Sequence, residues 1–153
     1  MERILDLQNF DALRHAIALT IAYALAFPIG WNREREERSA GLRTFPLVAV
    51  ATCGFVQATE SLAIGEPEAL ARIIEGLIVG MGFIGGGAIL KTTDSVRGTA
   101  TAASLWVTGA IGVAVGLGIY DVAAMLTIVT FLTLWLATPL KAIAKEEGTE
   151  KAR

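Results

Sequence analysis

The chain has 153 residues, 54% of them hydrophobic, and a mean hydropathy of +0.57, which makes it one domain by length. Its net charge of -2 carries no nucleic-acid signal, and the charges matter by position: they collect at Arg33–Arg38, around Lys91–Arg97 and after Lys141. Between these clusters lie apolar runs of about 20 residues, enough to cross a ~30 Å hydrocarbon core, so a water-soluble domain is excluded.

The single cysteine, Cys53, lies in an apolar run and rules out an intramolecular disulfide and a cysteine-based zinc site. No cleaved signal is expected, because Glu2, Asp6 and Asp11 precede the first apolar run. Span 1 is predicted over Leu13–Trp31, with Pro28 and Gly30 bending or ending it. His15, the only histidine, reads as an interfacial residue. In the charged segment that follows, Glu34 and Arg38, and Arg33 and Glu37, are spaced four apart for ion pairs on a solvated helical extension.

Span 2 is predicted over Phe45–Ile64, with Thr52, Gln57, Thr59 and Glu60 turning its far half toward other helices. A tight turn at Gly65–Glu68 leads into span 3, Ala69–Leu90, where Arg72 and Glu75 are placed to pair on one face. Span 3 carries six glycines, Gly76, Gly80, Gly82, Gly85, Gly86 and Gly87. Gly76/Gly80 and Gly82/Gly86 have the small-x-x-x-small spacing of close helix packing. The other reading of the same stretch is a break at Gly85–Gly87 that bares carbonyls to an ion or a partner.

After a hydrophilic loop, Lys91–Gly98, span 4 is predicted over Thr99–Leu117. Ser104, Thr108, Gly112 and Gly116 recur every four residues as a packing stripe whose hydroxyls are expected to bond across to a neighbour. Trp106, Val113 and Leu117 occupy the opposite face. Asp121 is placed to cap span 5, Val122–Leu140. The expectation is an all-α, polytopic integral membrane protein: a five-helix domain over 1–141 and a charged cytoplasmic tail over 142–153. Ten Lys/Arg fall on one side and three on the N-terminal side, which puts the N-terminus out and the C-terminus in the cytoplasm.

Four patterns in order carry a resemblance. They are Gly30-Trp-Asn-Arg33-Glu34; Ala40-Gly41-Leu42-Arg43-Thr44; Gly82-Phe-Ile-Gly85-Gly86-Gly87-Ala-Ile89; and Val96-Arg97-Gly98 with Thr101-Ala-Ala-Ser-Leu-Trp106. Together they resemble the MgtC/SapB family of bacterial membrane proteins, over roughly Gly30 to Gly118. The sequence departs from that pattern at Asn32, Ala100 and Val107. The resemblance implies a multi-pass inner-membrane protein connected with growth under magnesium limitation. In the namesake members it implies inhibition of the F-type ATP synthase; longer members add an ACT-type cytoplasmic domain, which is not expected here.

Two functions compete. The first is regulation of magnesium or energy homeostasis by binding membrane partners. The second is a magnesium or other cation transporter or channel, drawing on Glu60, Glu75 and a breakable glycine helix. The candidate partner- or ion-binding residues are Arg33, Glu34, Arg43, Thr44, Glu75, Gly82, Gly85, Gly86, Gly87, Arg97, Thr101 and Trp106. Arg97 is expected to hydrogen-bond the carbonyls ending the glycine helix and the Glu34 carboxylate. Catalytic groups are too sparse for an enzyme, and no cofactor is implied. The small-residue surface of spans 3 and 4 predicts a homodimer or larger assembly.

Overall fold

A backbone in hydrocarbon must satisfy its own hydrogen bonds, and each apolar run does so as a helix. The elements in order are α1 (Ala12–Arg35), α2 (Thr44–Ala63), α3 (Pro67–Gly87), β1 (Leu90–Lys91), β2 (Val96–Arg97), α4 (Thr99–Gly116) and α5 (Tyr120–Glu150). The structure, a computed structural model, describes residues 11–36, 40–63, 67–91, 93 and 95–150. The expected pairs Glu34–Arg38 and Arg33–Glu37 and the first half of the Gly65–Glu68 turn lie outside the described residues.

Four stretches are long and apolar enough to cross a membrane: Ala12–Arg35, Glu68–Gly87, Thr99–Gly116 and Tyr120–Ala137. The apolar part of α2 is the shorter Thr44–Thr59, although its 20 residues are about 30 Å long. α4 is the central helix, touching α1, α2, α3 and α5, while α2 touches α1, α3 and α4. Gly30 of α1 lies against Gly41 and Phe45, and Leu19 against Gly54, so α1 and α2 are antiparallel. α2 and α4 run parallel, since Gly112 meets Ala49 and Thr52 while Gly116 meets Cys53 and Val56.

The tightest seam is the α2–α4 crossing. Ser104, Thr108 and Gly112 are buried there, and a β-carbon on Gly112 would overlap Thr52 Oγ1 and the Ala49 carbonyl oxygen. A methyl on Gly116 would come within 2.7 Å of Val56 Cβ. The small stripe of span 4 thus packs within one protomer and is not available to a second copy. Its hydroxyls also turn back instead of bonding across. Ser104 Oγ donates to the Thr101 carbonyl (3.0 Å), Thr108 Oγ1 to that of Ser104 (2.8 Å) and Thr52 Oγ1 to that of Val48 (3.0 Å). Satisfying a hydroxyl on its own helix leaves the interface to shape, which is what small residues provide.

Pro28 does not end α1. The helix continues through Gly30 to Arg35, because membrane helices tolerate a missing amide donor. α3 does not unwind either. It is helical to Gly87 and closes with one tighter turn, Ala88 N donating to Gly85 O (3.0 Å) and Ile89 N to Gly86 O (3.1 Å). The following loop holds a small hairpin, with Leu90 opposite Arg97 and Lys91 opposite Val96. α4 ends on Gly118 in the left-handed region (φ 75): Gly118 N donates to Val115 O and Ile119 N to Ala114 O, closing the last carbonyls. Asp121 lies in the first turn of α5 and is exposed.

Candidate functional site

The end of the bundle that gathers the C-termini of α1 and α3 and the N-termini of α2 and α4 holds most of the motif residues. At the close of α1, Arg33 is only 3% exposed. Its Nε and Nη2 donate to Asn32 Oδ1 (3.2 and 2.6 Å), and Nη2 lies 3.4 Å from Glu36 Oε2. The segment is therefore not wholly solvated: Arg33 is a packed guanidinium, charge-balanced by Glu36 and oriented by Asn32.

Glu34, one residue on, faces the other way. Its Oε2 accepts a hydrogen bond from Leu42 N at 3.1 Å, tying the end of α1 to the residues that open α2. Gly41 makes this possible, since a β-carbon there would collide with the Glu34 carboxylate. A methyl on Gly30 would sit 3.1 Å from the Gly41 carbonyl oxygen and 3.2 Å from Phe45 Cβ. The first two motifs therefore form one clasp. Among the described residues no ion pair joins Glu34 to Arg97; the Glu34 carboxylate accepts from the Leu42 amide instead.

Arg97 lies on β2 and is exposed. Its neighbour Gly98 is the helix-capping residue of α4, at φ 88, and any β-carbon there would strike the Ala88 carbonyl oxygen. Gly85 approaches Ala102 closely, a methyl falling 3.3 Å from the Ala102 carbonyl oxygen. Thr101 is buried under the same crossing, at 1% exposed. The third and fourth motifs thus form a second junction, between the end of α3 and the start of α4.

The remaining glycines of α3 behave differently. Nothing lies within 4 Å of where a β-carbon would stand on Gly76, Gly80, Gly82, Gly86 or Gly87. The spaced pairs therefore do not serve packing within the protomer. The inward stripe of α3 is Met81, Gly85 and Ala88, at helical steps of four and three, and the other glycines fall off it. Gly76 and Gly80 line a lateral groove of about 760 Å³ between α2 and α3, with Val48, Thr52, Phe55 and Met81. Arg43, exposed, and Thr44, half-buried, line the groove at the α2 N-terminus. On the other flank, Trp106 (49% exposed) lines a cleft of about 300 Å³ with Ile74, Ile78 and Met81. Glu75 and Arg72 are both exposed on α3, and among the described residues no ion pair joins them.

Nothing in the sequence signals the burial of Arg33; Thr52, expected to face other helices, is 3% exposed and lines both cavities.

A family model described as the MgtC family matches residues 19–143. The chain belongs to the MgtC family. It is 39% identical over 136 residues to Protein MgtC of Brucella abortus, covering 89% of this chain and 56% of that protein. It is 37% identical over 143 residues to Protein SrpB of Synechococcus elongatus, covering 86% and 79%. With Protein MgtC of Salmonella typhimurium it shares 36% identity over 115 residues, covering 75% and 48%. The chain thus spans about half the length of the MgtC relatives. No solved structure is a significant match. As an MgtC-family chain with apolar helices of spanning length, it is a multi-pass protein of the bacterial inner membrane.

Proposed function

We propose that this MgtC-family chain regulates magnesium or energy homeostasis by binding a transmembrane helix along α3, from a second copy or from another membrane protein such as the F-type ATP synthase. The observation that carries this reading is the contrast between its glycines. Gly30, Gly41, Gly85, Gly109, Gly112 and Gly116 each meet a neighbour within the protomer, whereas Gly76 and Gly80, on the groove side of α3, face open space, as do Gly82, Gly86 and Gly87 outside the groove. In hydrocarbon, small residues on an open face beside a groove are what lets a further backbone approach. Gly76 and Gly80 border the groove against α2, so a helix seated there contacts α3 and the α2 face of Leu47, Ala51 and Phe55.

The competing reading is magnesium or other cation transport. The carboxylates it draws on are Glu60 and Glu75, of which Glu75 is exposed on α3 and Glu60 has no described side-chain position. Two measurements on one purified preparation separate the readings. Regulation predicts no saturable magnesium flux in proteoliposomes and a loss of low-magnesium growth when Gly80 becomes leucine in a protein that remains folded. Saturable flux at the parent's growth-supporting level, with Gly80→Leu growing normally, contradicts it.

A further inference from the structure

A second cleft, of about 590 Å³, opens between the end of α1 and α5, on the same end of the bundle as Arg33, Arg43 and Arg97. It is lined by Trp31, Asn32, Arg35 and Glu36 from α1 and by Phe131, Trp135 and Leu136 from α5. None of these residues lines the α3 groove, and although Trp31 and Asn32 belong to the first motif, the cleft opens toward α5 and not toward α2.

Its charge is unbalanced. Glu36 lies against the Arg33 guanidinium (3.4 Å), and Asn32 Oδ1 accepts from the same group. Among the described residues Arg35, exposed, has no ion pair or side-chain hydrogen bond, so the described lining of the cleft carries one uncompensated guanidinium. That group offers five planar donors, a geometry suited to phosphate oxygens. Trp31 (49% exposed) and Trp135 (58%) flank it, the residue type that sits at the level of lipid headgroups.

From this mouth an aromatic track runs back along the lipid-facing side of α1. Trp31, Phe27 and Tyr23 follow at helical steps of four, with ring centroids 6.1 and 6.2 Å apart, and all three are exposed. The track has the direction an acyl chain takes below its headgroup, and a basic cleft between helices at headgroup depth is chemistry that retains anionic lipid. We infer that the Trp31/Arg35/Trp135 cleft is a binding site for one anionic phospholipid, with the phosphate on Arg35 and an acyl chain along Trp31, Phe27 and Tyr23.

Tryptophan quenching tests this directly. The chain has three tryptophans, so Trp106→Phe leaves Trp31 and Trp135 as the reporters. The protein is reconstituted in phosphatidylcholine bilayers containing a rising fraction of acyl-brominated phosphatidylglycerol or, separately, acyl-brominated phosphatidylcholine. Half-quenching is expected at a roughly five-fold lower fraction of the anionic lipid, the factor that one basic side chain at an anionic surface supplies. Arg35→Gln is expected to abolish that preference, leaving the phosphatidylcholine curve unchanged, while Arg35→Lys keeps most of it.

Equal curves for the two lipids in the parent overturn the assignment. So does a preference that survives Arg35→Gln, which puts the anion elsewhere. Loss in Arg35→Lys as complete as in Arg35→Gln overturns it too, by making the effect one of packing and not of charge. Quenching by neither lipid means that protein covers the cleft, and is equally fatal.

Discussion

Replacing Gly112 by alanine probes the α2–α4 seam at its closest point. The added methyl overlaps Thr52 Oγ1 and the Ala49 carbonyl oxygen, and stands 2.9 Å from the Ala49 carbonyl carbon. Thr52 can rotate, but Ala49 is helix backbone, so α2 and α4 have to separate. Overpacking of this kind costs about 1–3 kcal/mol. Separation also loosens the contacts of neighbouring buried Ile111, Val115 and Cys53, each 1% exposed or less. Alanine gains at most about 1 kcal/mol in helix propensity on the water-soluble scale. That gain shrinks where the unfolded reference is itself a helix in the membrane. The net expectation is a loss of about 1–2 kcal/mol. Gly80→Ala is the control, with nothing within 4 Å of the new methyl and an expected change within about 0.5 kcal/mol. Unfolding in mixed micelles by a denaturing detergent, followed by circular dichroism, measures both. Equal stability of Gly112→Ala and the parent, or an equal loss in Gly80→Ala, refutes this account of the two glycine classes.

Three further outcomes follow from the clasp, the hairpin and the charges. Glu34→Ala should lose about 1 kcal/mol by freeing the Leu42 amide, while Glu34→Gln, which keeps an acceptor, should unfold close to the parent. Arg97→Lys should melt like the parent, because Arg97 is exposed and no ion pair joins it to Glu34, whereas Gly98→Ala should be destabilised by its left-handed φ and by the Ala88 carbonyl. In a Cys53→Ala background, a cysteine at Thr93 should be shielded from impermeant thiol reagents in intact cells and one at Glu68 labelled; the reverse pattern overturns the inward placement of the basic end.

The sequence made the helices legible because lipid imposes one strong rule, a run of about 20 apolar residues. Of the two faces it assigned to α4, Trp106 and Leu117 are exposed and Ser104, Thr108 and Gly112 are buried, while Val113 and Gly116 are half-buried. What it could not say is which helix meets a small-residue face. The stripe of α4 and the glycines of α3 look alike as patterns, yet the first is filled by Ala49, Thr52, Cys53 and Val56 while the second stands open. That difference depends on where α2 lies, a tertiary fact with no local signature. Arg33 was misread for a similar reason: its burial follows from the packing at the end of α1, while the i, i+4 spacing of the charged run suggested a solvated helix. Glu34 accepts from Leu42, eight positions on in the chain, beyond any helical spacing rule.

The central claim is that a further transmembrane helix seats beside α3 in the groove against α2. Single photo-crosslinking residues at 76, 80, 83 and 84, and at 78 and 82 on the opposite flank, read it out in native membranes by the mass of the adducts. The account predicts adducts at 76, 80 and 84, a weaker one at 83, and none at 78 and 82, with the mass naming a second copy or another membrane protein. Adducts of equal yield at all six positions, or lipid-only products throughout, would contradict it.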